Sequence, residues 1–426
     1  MAAAFIFGLL ILLMLTGMPV SIALGLTVLT YLFTMTNVPP AAVALKLFTG
    51  IEKFEIMAVP FFILAGHFLT QGGAAKRMIT FATAVVGHWH GGLALAAVLG
   101  CALFAAVSGS SAATVVAIGT LILPAMQRQG FPKRFGAGVV TTSGSLGILI
   151  PPSIVMVMYS VSTNTSVGKL FIAGVVPGLL LAVILGAVTW YRAWSNDYPR
   201  LPKAGLQARL KSFRESIWAL LLIVLVIGGI YGGAFTPTEG AAVSAVYAFV
   251  ITMFVYKDMR WRDVPKVLRS AASTSAMLLY IIANAALFSF LLTSEQIPQS
   301  IADWMATQHI GPIGFLLLAN VLLLAAGTFL EPSSAVLILA PILFPIAMKF
   351  GVDPVHFGIM IVVNAEIGMC HPPVGLNLYV ASGITRMGIT ELTIAVMPWL
   401  LAMLAFLMVI TFIPALSLWL PRLMGA

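Results

Sequence analysis

The chain has 426 residues, of which 61% are hydrophobic and only 8% charged, against about 25% charged in an ordinary soluble domain. That composition excludes a water-soluble fold and points to an all-α polytopic membrane protein. The net charge of +9 falls mostly in loops, where it reports orientation in the bilayer and not affinity for nucleic acid.

Taken in order, the opening "MAAAFIFGLLILLMLTGMPV" has no basic region ahead of its apolar core and reads as a first span, not a cleaved leader. A short amphipathic stretch, residues 41–56, carries Lys46, Glu52, Lys53 and Glu55 and suits a surface arm. "AAKR" (74–77) and "QRQGFPKR" (127–134) then place positive charge on both flanks of one apolar segment. Such a segment enters and leaves on the cytoplasmic side. It is predicted as a re-entrant hairpin, about 91–127, with "SGSSA" (Ser108–Ala112) at its tip. A span at about 132–164 follows, interrupted by Gly144, Gly147 and the Pro151-Pro152 pair. Residues 196–215, rich in Lys and Arg, form a predicted cytoplasmic linker.

Beyond the linker the pattern recurs. A basic arm lies around Trp261–Arg269, a hairpin at about 311–350 with Glu331–Ser334 at its tip, and a span at about 354–385 broken at Gly368, Met369 and Pro372-Pro373. Pro19 and Pro237, each ending a turn between spans, are 218 residues apart; Ser110 and Ser333 are 223 apart; Pro151 and Pro372 are 221 apart. Three anchors in one order at nearly one offset divide the chain into two repeats, 1–195 and 216–426. The flanks of the second hairpin are acidic or weakly charged, which suits the outer face. The repeats are therefore expected in inverted topology, with about ten full spans, two hairpins and both termini outside.

A hairpin tip or a broken span leaves backbone groups without helical partners, at several kcal/mol each in hydrocarbon. Such backbone belongs where protein or a watery cavity surrounds it. Its carbonyls, with serine hydroxyls, suit a small hard monovalent cation, and half-helix N-termini suit a carboxylate. One sodium site per repeat is expected: Ser108, Ser110, Ser111, Gly144, Gly147 and Pro151 in the first, and Glu331, Ser333, Ser334, Gly368, Met369 and Pro372 in the second. An organic anion between the tips would meet Ser110, Ser111, Ser153, Ser334, Pro373 and Asn377. No transition metal and no organic cofactor is expected.

At these residues the chain resembles the large membrane subunit of TRAP (tripartite ATP-independent periplasmic) transporters, the DctM-like family. The most specific stretches are "DPVHFGIMIVVNAEIGMCHPPVGLNLYVASGI" (353–384), "GTFLEPSSAVLILAPILFPIA" (327–347) and "VSGSSAATVVAIGTLILPAM" (107–126). The resemblance covers nearly the whole length. It implies an elevator-type ion-transporter fold and sodium-coupled uptake of an organic acid, such as a C4-dicarboxylate or sialic acid. It also implies two partners in the bacterial inner membrane system: a small four-helix membrane subunit and a periplasmic substrate-binding protein. Cys370-His371 before the second diproline departs from the small hydroxyl residue that family members often carry there.

Other residues have plainer readings. Glu331 either supplies charge for the cation or caps the second arm of its hairpin. Glu366, near Asn364, reads as a group facing another subunit or a basic partner. Glu239 reads as a helix-start carboxylate, and the histidines as interfacial. Trp190, Trp194, Trp218, Trp261 and Trp419 fit an aromatic belt. Cys101 and Cys370 have no metal-ligand spacing and read as filler. Walker A, GxSxG and HExxH motifs are absent from the sequence, so nothing in it calls for ATP hydrolysis or proteolysis. A stand-alone sodium/carboxylate symporter and an ion channel are the competing readings.

Overall fold

The computed structural model describes residues 2–36 and 38–425, and every regular element among them is helical. The chain opens with α1 (Ala2–Leu15) and α2 (Val20–Met35), separated by the turn at Gly17 and Pro19. α3 (Pro40–Ile51) starts on a proline, whose missing N–H has no helical acceptor at a first turn. A 3-10 turn, Phe54–Met57, leads into α4 (Ala58–Gln71), and α5 (Ala74–Val86) follows.

α6 (Gly92–Ser108) and α7 (Ser111–Arg128) form a hairpin turned at Gly109 and Ser110. Gly109 takes φ +59, a left-handed angle that glycine adopts without a Cβ penalty. α8 (Lys133–Gly144) tightens into a 3-10 turn at Ser145–Ile148 and stops. α9 (Ile154–Thr163) resumes beyond Pro151 and Pro152. A proline lacks the N–H that would continue the ladder and clashes with the preceding turn, so two in succession end the helix. α10 (Val167–Ser195) completes the half.

α11 (Leu206–Tyr231) and α12 (Pro237–Val250) open the second half. α13 (Val264–Ser294) and α14 (Ile297–Thr307) follow. α15 (Pro312–Gly327) and α16 (Pro332–Lys349) make the second hairpin. α17 (Pro354–Gly368) and α18 (Leu376–Thr385) flank Pro372 and Pro373, and α19 (Ile389–Phe412) and α20 (Ala415–Leu423) end the described chain. The order of hairpin, helix, diproline break, short helix and long helix occurs twice.

Among the described residues eight helical stretches are long and apolar enough to cross a bilayer, two of them the hairpin arms α7 and α16; α1 and α2 have only 14 and 16 residues, and the diprolines split two of the expected spans into short pieces. One expectation changes. The basic segment 196–215 is not all linker: α11 begins at Leu206. Leu206, Leu210 and Phe213 recur there at helical spacing, so the extended part is confined to about 196–205.

The helices sort into two groups. α4 packs along α12, α13 lies against α2, α3 and α4, and α11 lies against α12. The hairpins and breaks make the other group: α6 packs with α7 and α8, α15 with α17, and α10 with α6, α19 and α20. Inside it the halves exchange partners, α7 packing on α18 and α16 on α9. Each hairpin's second arm thus meets the short helix after the other half's break. The groups touch where α4 meets α6, where α13 meets α16, and where α11 meets α6 directly and through α5, which sets both hairpins on the boundary.

Candidate functional site

A cavity of about 230 Å³ opens on that boundary. One wall is both hairpin tips: Ser108–Ala113 from the first, Glu331, Pro332 and Ser333 from the second. Met369 and Leu376 from the second break, and Ile148 and Ile154 from the first, extend it. The opposite wall is Ile63, Gly66, His67 and Thr70 of α4 with Thr274, Met277 and Leu278 of α13. Of the expected site residues, Ser108, Ser110, Ser111, Glu331, Ser333 and Met369 line this space.

At the first tip the polar groups are tightly committed. Ser108 Oγ lies 2.9 Å from Thr114 Oγ1, and Thr114 donates its hydroxyl to the Ser110 carbonyl at 2.8 Å. Gly147 packs directly beneath: a Cβ there would stand 2.6 Å from Ser110 O and 2.8 Å from Ser111 N. Gly144 lies under Val115 in the same way, a Cβ there meeting the Val115 side chain at 2.2 Å. Glycine is what lets the broken span approach the tip this closely. Pro151 faces away and lines a separate apolar groove between α6, α10 and α11. Ser153 is fully buried, donates to Ile148 O and caps α9 through Met156 N at 3.4 Å. It lies outside the cavity lining.

The second tip is closed differently. Glu331 is the N-cap of α16 and accepts from Ser334 N at 3.0 Å and Ser334 Oγ at 2.9 Å. Its capping role is therefore directly observed, while it also borders the cavity. By contrast no side chain caps α7, whose N-cap is Ser110. Ser334 is buried behind Glu331. Gly368 meets Gly327 of α15 backbone to backbone: a Cβ there would lie 2.7 Å from Gly327 Cα. The second break turns back on itself. Gly375 donates its N–H to Thr328 O at 3.2 Å, and a Cβ on it would stand 2.8 Å from His371 O and 2.9 Å from Met369 O. Three carbonyls, those of Thr328, Met369 and His371, thus crowd one glycine. Pro372 is half-buried and Pro373 is exposed, neither reaching the cavity.

Contacts between the halves run through groups that within-repeat spacing does not pair. Asn377, fully buried on α18, donates to Ser111 Oγ at 2.7 Å, so it braces the first tip instead of lining the cavity. Glu366 is fully buried on α17, with its Oε1 3.1 Å from Ser145 Oγ in the first break. This corrects the reading of Glu366 as a group facing another subunit or a basic partner: α17 sits inside the second helix group, with no outer face at that turn. The interfacial default also fails for His67, which lines the cavity, and for His356, which is buried 2.8 Å from Ser417 Oγ. Thr70 and Thr274 carry no motif, and only the packing of α4 and α13 brings them to the site. Glu239 forms a capping box with Thr236, and all five belt tryptophans are exposed.

A family model described as "Tripartite ATP-independent periplasmic transporter, DctM component" matches residues 7–416. This chain belongs to that family. It is 70% identical over 439 aligned positions, all of both chains, to the C4-dicarboxylate TRAP transporter large permease protein DctM of Rhodobacter capsulatus. The protein of the same description from Pseudomonas aeruginosa is 55% identical over 384 residues, 90% of each chain. A solved structure of the Alcanivorax borkumensis YdaH transporter superposes with a TM-score of 0.64 over 91% of this chain and 88% of that one. At 16% identity that is a likeness of fold alone. As a DctM-family protein the chain is the large permease subunit of a TRAP transporter and a multi-pass membrane protein.

Proposed function

We propose that this permease imports a C4-dicarboxylate, driven by sodium, through an elevator-type movement of the hairpin-bearing helix group past the α4–α13 group. One observation carries the reading: both serine-bearing tips converge on one cavity at the boundary between the groups. What binds there touches the body that would move and the body that would stay. The substrate class follows from the names of the relatives that match over nearly full length. One coupling ion belongs at Ser110, Ser111 and Gly147, where hydroxyls and carbonyls crowd the first break. The other belongs at the carbonyls of Thr328, Met369 and His371 around Gly375. The cargo carboxylate belongs at the uncapped N-terminus of α7, where free N–H groups and the helix dipole favour an anion. The halves are read as inverted repeats on the charge of their flanks.

The partners are a small membrane subunit in the bacterial inner membrane and a periplasmic binding protein that delivers the acid. At −100 mV each net positive charge moved inward gains about 2.3 kcal/mol, worth about 40-fold in accumulation. The test is uptake of labelled succinate into proteoliposomes holding all three proteins. Ser110→Ala with Ser111→Ala, and separately Gly375→Ala, whose Cβ would stand 2.8 Å from His371 O and 2.9 Å from Met369 O, are expected to raise the sodium concentration for half-maximal uptake. Unchanged sodium dependence in both removes the site assignment. Uptake by this chain alone rejects the tripartite reading, and currents without any carboxylate favour a channel.

A further inference from the structure

Two sodium ions would carry a dicarboxylate without net charge. A substrate of charge −2 with two sodium ions moves no net charge, so the membrane potential could not drive its uptake. Glu366 supplies what is missing. It is fully buried on α17, and its Oε2 has no partner. Its Oε1 has only Ser145 Oγ, at 3.1 Å. Ser145 has a single hydroxyl proton, and its oxygen is closer to the Thr142 carbonyl, at 2.6 Å. That one proton is divided between the two acceptors, so Glu366 Oε1 has at most a shared donor and Oε2 has none. No ion pair among the described residues reaches it.

An ionised carboxylate in such surroundings is strongly unfavourable unless a proton or a cation sits against it. The oxygens around it also fit a cation. Oxygens around a hard cation of calcium's size lie about 2.3–2.6 Å from it, which leaves neighbouring ligand oxygens roughly 3 Å apart. Ser145 Oγ lies 3.1 Å from Glu366 Oε1 and 2.6 Å from Thr142 O, and Ser143, between Thr142 and Ser145 in the chain, holds a buried hydroxyl with no partner.

We propose a third sodium site formed by the Glu366 carboxylate, Ser145 Oγ and the Thr142 carbonyl. The inference rests on the sodium-coupled reading above and deepens it. Ser145 opens the break that carries Gly147 against the first tip, so this ion joins the second half's α17 to the first half's break. The Glu366 charge stays with the protein through the cycle, so the third ion adds one net positive charge to each dicarboxylate imported.

The test compares wild-type permease with Glu366→Gln in proteoliposomes containing the small subunit and the binding protein. Labelled succinate uptake is followed against external sodium and against an imposed potassium diffusion potential. Wild type is expected to show a sodium slope approaching three and about 40-fold higher accumulation per 100 mV. Glu366→Gln should show a slope approaching two, with accumulation that no longer follows voltage. A variant that keeps both wild-type behaviours overturns the site. So does one that loses voltage dependence while its sodium slope is unchanged, since the coupled charge is then a proton. Where Glu366→Gln does not fold, Ser145→Ala with radioactive sodium binding to the purified permease decides: weaker binding supports the site and unchanged binding overturns it. Sodium-independent uptake by wild type would instead overturn the functional reading itself.

Discussion

Gly147→Ala isolates the contact between the first tip and the first break. The residue has no left-handed backbone angle to defend, so alanine is conformationally acceptable and only space is at issue. The new Cβ would lie 2.6 Å from Ser110 O, 2.7 Å from Ser110 C and 2.8 Å from Ser111 N, where ordinary contact begins at 3.4 Å. The nearest overlap is thus about 0.8 Å, and every atom met is backbone, which has no rotamer to yield. Overpacking of this kind costs about 1–3 kcal/mol. If the tip yields, that cost falls on the cation-bound geometry and weakens sodium about 5- to 150-fold. The assay is the sodium dependence of succinate uptake in the three-component proteoliposomes. Gly186→Ala on α10 serves as the control, because nothing lies within 4 Å of its Cβ. Half-saturating sodium should rise several-fold or more in Gly147→Ala and stay at the wild-type value in the control. An unchanged sodium requirement in well-folded Gly147→Ala would refute the claim that tip and break share an ion.

Two further outcomes follow from particular contacts. Ser111→Ala and Asn377→Ala remove the two ends of one buried hydrogen bond, so a double-mutant cycle on sodium affinity should show coupling of about 0.5–3 kcal/mol; additive effects would mean that the halves do not communicate through it. Thr236→Ala breaks the capping box of α12, outside the cavity lining, and should cost about 0.5–2 kcal/mol in thermal stability with sodium dependence unaltered.

The local chemistry of the site was legible in the chain, and its assembly was not. Pro151-Pro152 and Pro372-Pro373 announce helix ends because proline cannot continue the ladder, whatever surrounds it. Ser110 and Ser333 stand out because a polar knot between apolar arms needs a reason to be there. Ser153 and Ser334, expected as cargo contacts, lie outside the cavity lining, since a serine at a helix start has a competing use there. Ser153 caps α9, and Ser334 feeds Glu331. The partners of Asn377 and Glu366 in the other half were out of reach for a different cause. Matching one half to the other pairs each tip with its own break, whereas α7 packs on α18 and α16 on α9. That exchange depends on how the halves dock, and no spacing within either half encodes it. His67 and Thr274 reach the cavity by the same kind of docking.

The unequal ends of the two hairpins set a direction inside a pseudo-symmetric frame. α16 begins with its own carboxylate already seated, while α7 begins bare. An anion drawn to a helix start would find one of these two poles open and the other already occupied by a fixed carboxylate.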